Sequence, residues 1–308
     1  MSGGVRHLLS IEDLSDGELH HLVERGAKFA GGDRPAATLA GRVVGIYFRK
    51  TSTRTRTAFS SGALRLGAQI VSYGPNDLQE NTGESIEDTT RVLSGMLDAL
   101  VARTAGSPEE MRVMAGQERM AVVNAMSADE HPTQAISDLT TMTCHFGRLE
   151  RLRVLYVGEG NNTASALALA LARYPGAELH LRTPSGYGLL PEKLGVASAR
   201  AARSGARIEE RHTMDDLPAG VDVVYTTRWQ TTGTSKPDPD WRTVFEPYRV
   251  DERLMARLPG AVFMHDLPAH RGEEVTAPVL EGASSVAFRQ AENKLHSAMA
   301  VLEWCLCS

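Results

Sequence analysis

Apolar and polar positions alternate along the chain in two distinct patterns. Short apolar runs, rich in β-branched residues, are separated by longer segments whose apolar positions recur at helical spacing. The short runs predict strands at residues 42–48, 69–72, 99–103, 121–124, 152–157, 178–181, 208–211, 221–225 and 261–264. The longer segments predict helices at residues 13–30, 54–66, 85–97, 132–146, 163–173, 191–204 and 291–305.

This alternation of strands and helices is typical of βαβ units and therefore of parallel sheets. A helix is expected to end near Gly147, and the charged residues that follow lead into a new strand, which indicates a domain boundary at this point. We therefore expect an α/β protein with one sheet on each side of the boundary. Residues 231–247 predict a long loop, which in a compact domain is often a lid or a binding loop.

Composition agrees with two domains and excludes several classes of function. A chain of 308 residues that is 42% hydrophobic can bury two medium-sized cores. A net charge of −5 argues against a broad basic surface for nucleic acid. Three cysteines are too few for a disulfide framework or a four-ligand zinc site, which suggests a reducing compartment. No apolar run approaches the roughly 18 residues that a membrane span needs, so we expect a soluble cytoplasmic protein.

One polar segment carries the first sign of chemistry. Residues 50–57, Lys-Thr-Ser-Thr-Arg-Thr-Arg-Thr, combine cations with hydroxyls and include no acidic or apolar side chain. They fall between a predicted strand and a predicted helix, where free amides, the helix dipole and hydroxyl donors can converge on an oxyanion. The alternative is a solvated helix start with surface ion pairs. The Walker lysine pattern and G-x-G-x-x-G are both missing, so the segment does not favour a nucleotide.

Five motifs in order give the chain a family resemblance. They are Ser-Thr-Arg-Thr-Arg at 52–56, Glu-Ser-Ile-Glu-Asp-Thr at 84–89, Arg103 after a strand, His-Pro-Thr-Gln at 131–134 and His-Asp-Leu-Pro at 265–268. Together they resemble the aspartate/ornithine carbamoyltransferase family over essentially the whole chain. The resemblance implies a carbamoyltransferase that uses carbamoyl phosphate and a small amino-acid acceptor, with no cofactor and no metal.

The resemblance also implies an architecture. It predicts two doubly wound parallel-sheet domains with a C-terminal helix that crosses back to the first. The carbamoyl phosphate-binding domain would comprise residues 1–147, completed by the helix at 290–308, and the amino-acid-binding domain residues 148–289. The family further implies a homotrimer with active sites between protomers, without nucleic-acid or membrane partners.

The family's donor-binding residues carry over onto the first domain. By resemblance, Ser52, Thr53, Arg54 and Thr55 hold the phosphate, while Arg103, His131 and Gln134 hold the carbamoyl end. Fixed donors at these positions suit the negative charge that develops on the carbonyl oxygen during attack by an amine. We expect the catalytic residues to be Arg54, Thr55, Arg103, His131 and Gln134. Taken alone, His131 is more simply a core histidine before the helix that starts at Pro132. The alternative for Arg103 is an ordinary arginine at a sheet edge.

Two further residues complete the predicted donor site. Gln79 lies in a polar loop that, in the family, reaches into the neighbouring protomer's site; a polar surface loop without such reach is the alternative. Aspartate enzymes have a catalytic lysine where this chain has Thr82, which argues against aspartate as the acceptor. Lys294 stands where ornithine enzymes have arginine, so it keeps a charge and loses the bidentate geometry.

The acceptor pocket departs from the ornithine enzymes. Thr227 replaces the acid that pairs with ornithine's ammonium group, and Thr231 and Thr232 replace Ser-Met. Arg228 and Gln230 resemble the aspartate enzymes' carboxylate-binding pair, although Arg228 could instead form a salt bridge within its domain. Asp266 brings in a carboxylate where ornithine enzymes have cysteine; it could instead cap a turn. The predicted amino-acid-binding residues are Asn162, Thr227, Arg228, Gln230, Asp266 and Leu267.

These departures favour a short acceptor that carries both a carboxylate and an ammonium group, such as L-2,3-diaminopropionate. Ornithine is the first alternative and aspartate the second, and an inactive regulatory relative is the alternative outside enzymes. The acidic and histidine residues at 265–274 invite a metal interpretation, but no other spacing supports it and the resemblance explains these positions.

Overall fold

The computed structural model of the protein describes residues 5–34, 36–231 and 234–307. Thr232, predicted to replace a family residue, lies outside these ranges, as do residues 1–4 and 308 of the predicted first domain. The chain divides into two compact units, one formed by residues 1–144 with 292–308 and the other by 145–291. The α/β fold with parallel sheets, predicted from the alternating pattern, is confirmed. Within the described ranges, no helix has the length and apolar character to cross a membrane.

The first unit contains a four-stranded parallel sheet in the order β2-β1-β3-β4. β3 and β4 are buried along their whole length, which explains why they are continuous apolar runs in the sequence. The strands are β1 (Val43–Phe48), β2 (Gln69–Tyr73), β3 (Ala99–Arg103) and β4 (Ala121–Asn124). The helices are α1 (Asp16–Ala30), α2 (Thr53–Arg65), α3 (Ile86–Leu93), α4 (Pro108–Ala115) and α5 (Pro132–Phe146), with 3-10 turns at Ile11–Asp13 and Gln79–Thr82.

The second unit contains a five-stranded parallel sheet in the order β7-β6-β5-β8-β9. Its strands are β5 (Arg153–Val157), β6 (Glu178–Arg182), β7 (Arg207–Arg211), β8 (Val223–Thr226) and β9 (Val262–His265). Its helices are α6 (Asn162–Leu171), α7 (Pro191–Ser204), α8 (Trp241–Phe245), α9 (Glu252–Ala256) and α10 (Ala277–Leu280), with a 3-10 turn at Glu246–Tyr248. α6 is buried along its whole length, which fits its alanine- and leucine-rich sequence.

The last helix, α11 (Ala287–Leu306), belongs to the first unit from Glu292 onward. There the Asn293 amide donates to the Thr141 hydroxyl of α5 at 3.0 Å. Arg25 of α1 pairs with Glu303 at 2.7 Å. A Cβ added to Gly26 would lie 2.8 Å from the Thr140 hydroxyl oxygen, so α1 and α5 approach closely. The predicted return of the C-terminal helix to the first sheet is therefore confirmed.

Several parts of the sequence prediction need correction. Residues 231–247 are not one long loop, because they contain α8 and the start of the following 3-10 turn. The short α8 escapes prediction because a single turn of helix has too few apolar positions to show a period. α9 and α10 were missed for the same reason. α4, which is eight residues long, was also missed, although Ser107 and Pro108 mark its start. The helix predicted at 85–97 ends at Leu93, two residues before Gly95.

Strand order determines where ligands can bind. In the first sheet the strand order reverses direction between β1 and β3, and in the second between β5 and β8. Ligands of open α/β sheets bind in the crevice outside the carboxyl ends of the strands at such a switch point. The segments that follow β1, β3, β5 and β8 are therefore the places to look for a site in each unit.

Candidate functional site

The hydroxyl-rich segment joins the end of β1 to the start of α2. Ser52 is the N-cap residue, with extended backbone, but its side chain makes no capping hydrogen bond to the helix. The first-turn amides of α2 are therefore not capped by Ser52, and they lie at the positive end of the helix dipole. Thr53 is exposed, Ser52 and Arg54 are partly exposed, and Thr55 is buried. This arrangement suits a small oxyanion.

Arg103 lies beside this segment, at the carboxyl end of β3. It is in register with Phe48, the last residue of β1, and its carbonyl accepts a hydrogen bond from the Arg49 amide at 3.0 Å. Its side chain is largely buried, with the residue 8% exposed. The switch point of the first sheet thus brings Arg103 next to the start of α2.

His131, Gln134 and Lys294 form a buried group at the start of α5. The Lys294 ammonium donates to Gln134 Oε1, while Gln134 Nε2 donates to Asp138 Oδ1 at 2.7 Å. Thr55, His131, Gln134 and Lys294 all line one small cavity. The structure therefore brings these four predicted donor residues together, and Lys294 reaches them from α11.

Electrostatics keep His131 neutral. Burial, then the positive charges of Arg103 and Lys294, hold the pKa of His131 well below its usual 6.5. A neutral imidazole offers one N–H donor and one acceptor. His131 can therefore donate a hydrogen bond to a carbonyl oxygen without carrying a charge.

The loop before His131 is fixed by a carboxylate that the sequence reading overlooked. Glu130 is 2% exposed, and its side chain accepts from the Ser10 hydroxyl at 2.6 Å and the Ile11 amide at 2.7 Å. Its carbonyl accepts from the Ser127 amide at 3.0 Å. Buried carboxylates are rare without hydrogen-bond partners, and the partners of Glu130 come from the N-terminal segment. Glu130 therefore links that segment to the loop before His131.

Gln79 lies on an exposed 3-10 turn of the first unit. Its carbonyl and its side-chain oxygen both accept from the Thr82 hydroxyl, at 2.8 and 2.9 Å. The residue is engaged within its own turn, and a role at a neighbouring protomer's site stays a prediction.

In the second unit, Asn161 holds together the segments that follow β5 and β8. It is the N-cap of α6, accepting from the amides of Thr163 and Ala164. Its side-chain amide donates to the hydroxyls of Thr227 at 3.0 Å and Thr231 at 3.1 Å. The sequence reading named the next residue, Asn162, which is the buried first residue of α6. Asparagine is favoured as an N-cap, but both residues are asparagine, and only the start of α6 identifies Asn161 as the cap.

The direct hydrogen-bond partners of Thr227 are uncharged. The residue is 1% exposed, and its hydroxyl lies 3.0 Å from the Tyr156 hydroxyl as well as from the Asn161 amide. Tyr156 in turn donates to the Glu159 carbonyl at 2.7 Å. The position where ornithine enzymes have an acid is therefore filled by a hydroxyl whose partners are uncharged.

Arg228 and Gln230 behave differently from each other. Within the described ranges Arg228 makes no ion pair, and its buried Nε has no hydrogen-bond partner, so the salt-bridge alternative has no support. Gln230 donates to the Thr234 carbonyl at 2.6 Å and so binds its own loop. Gln230 is therefore engaged within its own loop, and the joint binding of a carboxylate by the two side chains stays a prediction.

Asp266 follows directly on β9, and its carboxylate meets α6. Thr163 donates to Asp266 Oδ2 at 3.2 Å, and His265 Nδ1 lies 3.5 Å from Oδ1. Its side chain is 19% exposed. The carboxylate therefore contacts a neighbouring helix, which argues against the turn-capping alternative.

His265 supports the turn that carries Leu267. His265 Nδ1 accepts from the Leu267 amide at 2.8 Å, so the ring proton lies on Nε2, which donates to buried Glu274 at 3.1 Å. Leu267 adopts φ +51° before a cis peptide to Pro268. The histidine and Glu274 thus have a structural role in shaping the loop after β9.

Comparisons with known proteins agree with this geometry. The family model "Aspartate/ornithine carbamoyltransferase, carbamoyl-P binding domain" matches residues 6–144, and "Aspartate/ornithine carbamoyltransferase, Asp/Orn binding domain" matches residues 150–305. The ornithine carbamoyltransferase of Hyperthermus butylicus is 40% identical over 305 residues, covering 96% of both chains. That of Gloeobacter violaceus is 37% identical over 296 residues, covering 96% of this chain and 94% of the relative.

A solved structure extends the likeness to three dimensions. The ornithine carbamoyltransferase from Pyrococcus furiosus superposes with a TM-score of 0.92 at 35% identity, covering 98% of this chain and 97% of that one. The chain therefore belongs to the aspartate/ornithine carbamoyltransferase family. The protein is a carbamoyltransferase, as the five sequence motifs predict.

Proposed function

We propose that the protein transfers the carbamoyl group of carbamoyl phosphate to the side-chain amine of a short diamino acid, with L-2,3-diaminopropionate as the best candidate. The amine's lone pair attacks the carbonyl carbon, a C–N bond forms and the C–O bond to phosphate breaks. The amine loses one proton and inorganic phosphate leaves. The products are a ureido amino acid and phosphate.

The donor would bind in the first unit. Support comes from the uncapped start of α2 at Ser52–Thr55 for the phosphate, with Arg54 beside it. Arg103 and neutral His131 are suited to stabilise charge on the carbonyl oxygen, because donors fixed in advance need no reorganisation during the reaction. Gln134 and Lys294 hold each other in place in the same cavity.

The acceptor would bind at the carboxyl ends of β5, β8 and β9 in the second unit. The observation that carries the short-acceptor proposal is the hydroxyl at position 227 and the carboxylate at position 266. By the family resemblance, ornithine enzymes have the carboxylate at position 227 instead. Thr226 and His265 are paired in register, so the charge lies one strand, about 4.8 Å, from that position. Arg228 offers a guanidinium without an ion-pair partner in the described ranges, which suits the acceptor's carboxylate.

Ornithine is the second candidate. It is favoured by the relatives' names, since the Hyperthermus and Gloeobacter proteins are ornithine carbamoyltransferases. Aspartate ranks behind it, because Thr82 stands where aspartate enzymes have a lysine. We extend the proposal to a cytoplasmic homotrimer in which the Gln79 loop reaches a neighbouring protomer.

An acceptor panel tests the proposal. Ornithine, 2,4-diaminobutyrate, 2,3-diaminopropionate, aspartate and putrescine are each incubated with carbamoyl phosphate, and ureido products are quantified by mass spectrometry. We expect the highest kcat/KM for 2,3-diaminopropionate. Fastest turnover with ornithine would overturn the short-acceptor proposal and leave carbamoyl transfer intact.

Phosphate release separates an enzyme from an inactive relative. An active carbamoyltransferase releases phosphate from carbamoyl phosphate faster when its acceptor is present. If no amino acid in the panel accelerates that release, the protein is better described as an inactive regulatory relative. Sedimentation of the purified chain tests the trimer separately.

A further inference from the structure

Lys236 of the second unit is a buried lysine held by rings and a carboxylate. Its side chain is 5% exposed and forms an ion pair with Glu159. Its ammonium lies 4.6 Å from the ring centre of Tyr187, 5.0 Å from that of Phe245 and 5.4 Å from that of Trp241. Lysine is rarely buried unless its charge is compensated. Here the Glu159 carboxylate and the cage formed by the three aromatic rings compensate the charge of Lys236.

The cage is itself a packed aromatic cluster. The rings of Tyr187 and Phe245 lie 4.8 Å apart, and Trp241 and Phe245 meet edge to face at 5.6 Å. Trp229 packs on the same Phe245 at 5.6 Å. Lys236 therefore lies against an aromatic surface formed by Tyr187, Trp229 and the two rings of α8.

The carboxylate that holds Lys236 also contacts the loop after β8. Glu159 Oε1 pairs with Lys236, and Oε2 accepts from the Thr231 hydroxyl at 3.2 Å. The Thr231 hydroxyl in turn accepts from the Asn161 amide at 3.1 Å. Asn161 completes the connection by donating to Thr227 at 3.0 Å. An unbroken series of contacts thus joins Lys236 to the predicted acceptor position.

We propose that Lys236 is a positioning residue for the amino-acid acceptor. It fixes the loop after β8 on the aromatic cluster and, through Glu159 and Thr231, sets the orientation of Asn161 and Thr227. This inference rests on the proposed function only in that Thr227 and Arg228 are taken to face the acceptor. A second effect follows from the charge: by neutralising Glu159, Lys236 keeps that carboxylate from attracting the acceptor's ammonium group to the wrong place.

Kinetics of Lys236→Met test the proposal. Methionine fills a similar volume without the charge, so we expect the KM of the acceptor to rise about 10- to 100-fold, as expected when positioned groups shift. Binding of carbamoyl phosphate, which the first unit is proposed to hold, should change less than about twofold. Lys236→Arg keeps a cation for Glu159 and the rings and should restore much of the acceptor KM.

Arg242 provides the matched control. Its guanidinium lies 4.5 Å from the ring centre of the same Trp241, and its side chain is 56% exposed and pairs with Glu273 at 3.4 Å. Arg242→Met therefore removes a cation from the cluster without touching Glu159. Its acceptor KM should match that of the unaltered protein. Equal losses in Arg242→Met and Lys236→Met would overturn the proposal, because they would indicate a general effect of the cluster.

A double substitution tests the pairing itself. If Lys236 acts through Glu159, combining Lys236→Met with Glu159→Gln should raise the acceptor KM no further than the worse single variant. Fully additive effects on the acceptor KM would show that Lys236 and Glu159 act independently. The proposal that Lys236 positions Asn161 and Thr227 through Glu159 would then be wrong.

Hydrogen exchange gives a readout that needs no acceptor. In Lys236→Met, amides of residues 158–163 and 225–231 should exchange faster, while amides of residues 99–103 in the first unit should not change. Unchanged exchange at 158–163 and 225–231 would overturn this inference whatever the acceptor is. The two proposals can also fail separately. If these amides exchange faster but no acceptor in the panel is carbamoylated, the role of Lys236 in fixing the loop is supported and only the proposed function is overturned.

Discussion

Thr227 and Asp266 directly follow two residues that are paired in register on neighbouring strands, Thr226 of β8 and His265 of β9. Thr227 presents a hydroxyl whose direct hydrogen-bond partners are uncharged, and Asp266 presents a carboxylate bound to Thr163. The two positions thus lie next to each other at the carboxyl ends of neighbouring strands, where the proposed function places the acceptor's ammonium group. Because Asp266 carries the negative charge and Thr227 does not, the ammonium group is expected to bind beside Asp266. Substitution of Asp266 tests this expectation.

Asp266→Asn should weaken acceptor binding and leave the donor unaffected. The amide keeps the size and a hydrogen-bonding group but loses the charge, so the acceptor KM should rise about tenfold, the usual value of a charge-assisted contact. Steady-state kinetics with each substrate varied in turn provide the measurement. Carbamoyl phosphate KM should stay within about twofold.

Asp222 supplies the control for this charge. It lies just before β8, at the amino end of the strand next to β9, where its carboxylate accepts from the Arg153 amide at 2.8 Å. Asp222→Asn removes the same charge from the same sheet and should leave the acceptor KM unchanged. If both substitutions raise the acceptor KM equally, Asp266 acts through the overall electrostatic field of the protein and not through a direct contact with the acceptor.

Arg228→Ala should raise the acceptor KM by about 10- to 100-fold, because a carboxylate would lose its bidentate partner. The acceptor KM of Arg228→Lys should lie between those of Arg228→Ala and the unaltered protein, since lysine keeps the charge and loses the planar guanidinium. The exposed Arg257 of the second unit gives the control, and Arg257→Ala should have no effect. Loss of carbamoyl phosphate binding in Arg228→Ala would show that the arginine serves the donor instead.

Stability should fall as the pH drops below 6.5, partly because of His131. Its folded-state pKa lies well below 6.5, so below that pH the unfolded chain takes up a proton that the folded protein does not. The free energy of unfolding then decreases by up to about 1.4 kcal/mol per pH unit for such a group. Urea denaturation between pH 7.5 and about 5 measures this slope.

Substitution identifies the share that His131 contributes. His131→Gln removes the titrating ring and should flatten the slope, while His7 and His296, whose pKa values are also lowered by burial, account for part of what remains. The exposed His20 is the control, and His20→Gln should leave the slope unchanged. A slope that is identical in His131→Gln and the unaltered protein would contradict the assignment.

The cysteines should differ sharply in reactivity. Burial raises the pKa of Cys305 to about 12, whereas Cys144 is exposed. Because the thiolate is the reactive form, a thiol reagent at neutral pH should label Cys144 in the folded protein and Cys305 only after unfolding. Mass spectrometry of the labelled peptides distinguishes the two. Comparable labelling of both in the native state would mean that α11 opens readily.

Local sequence patterns predicted the strands well because of where the strands lie. β3, β4 and β8 are buried throughout, and each is an apolar run that ends in one polar residue, which is visible without an alignment. Helices that end at a marked residue, such as α7 before Gly205 with φ +81°, were equally accessible. One-turn helices such as α8 were not, because they leave no period.

The site residues that lie in contiguous sequence motifs could be predicted. Those that depend on contacts between residues far apart in the sequence could not. The motif at 131–134 indicated His131 and Gln134, and the cavity they share with Thr55 and Lys294 agrees with that grouping. Glu159 and Lys236 are 77 positions apart, and no local pattern couples them. Asn161 was missed for a different reason: its neighbour Asn162 is the same residue type, and only the helix boundary distinguishes them.

The register between β8 and β9 has an evolutionary consequence. Each side chain at that edge is carried by its own strand, so a lineage can exchange a hydroxyl for a carboxylate at one position, and the reverse at the next, without altering either backbone. The motifs predicted to bind the donor belong to the other unit, which has its own sheet. A duplicated gene could therefore acquire a new acceptor through a few point mutations while it retained an old reaction.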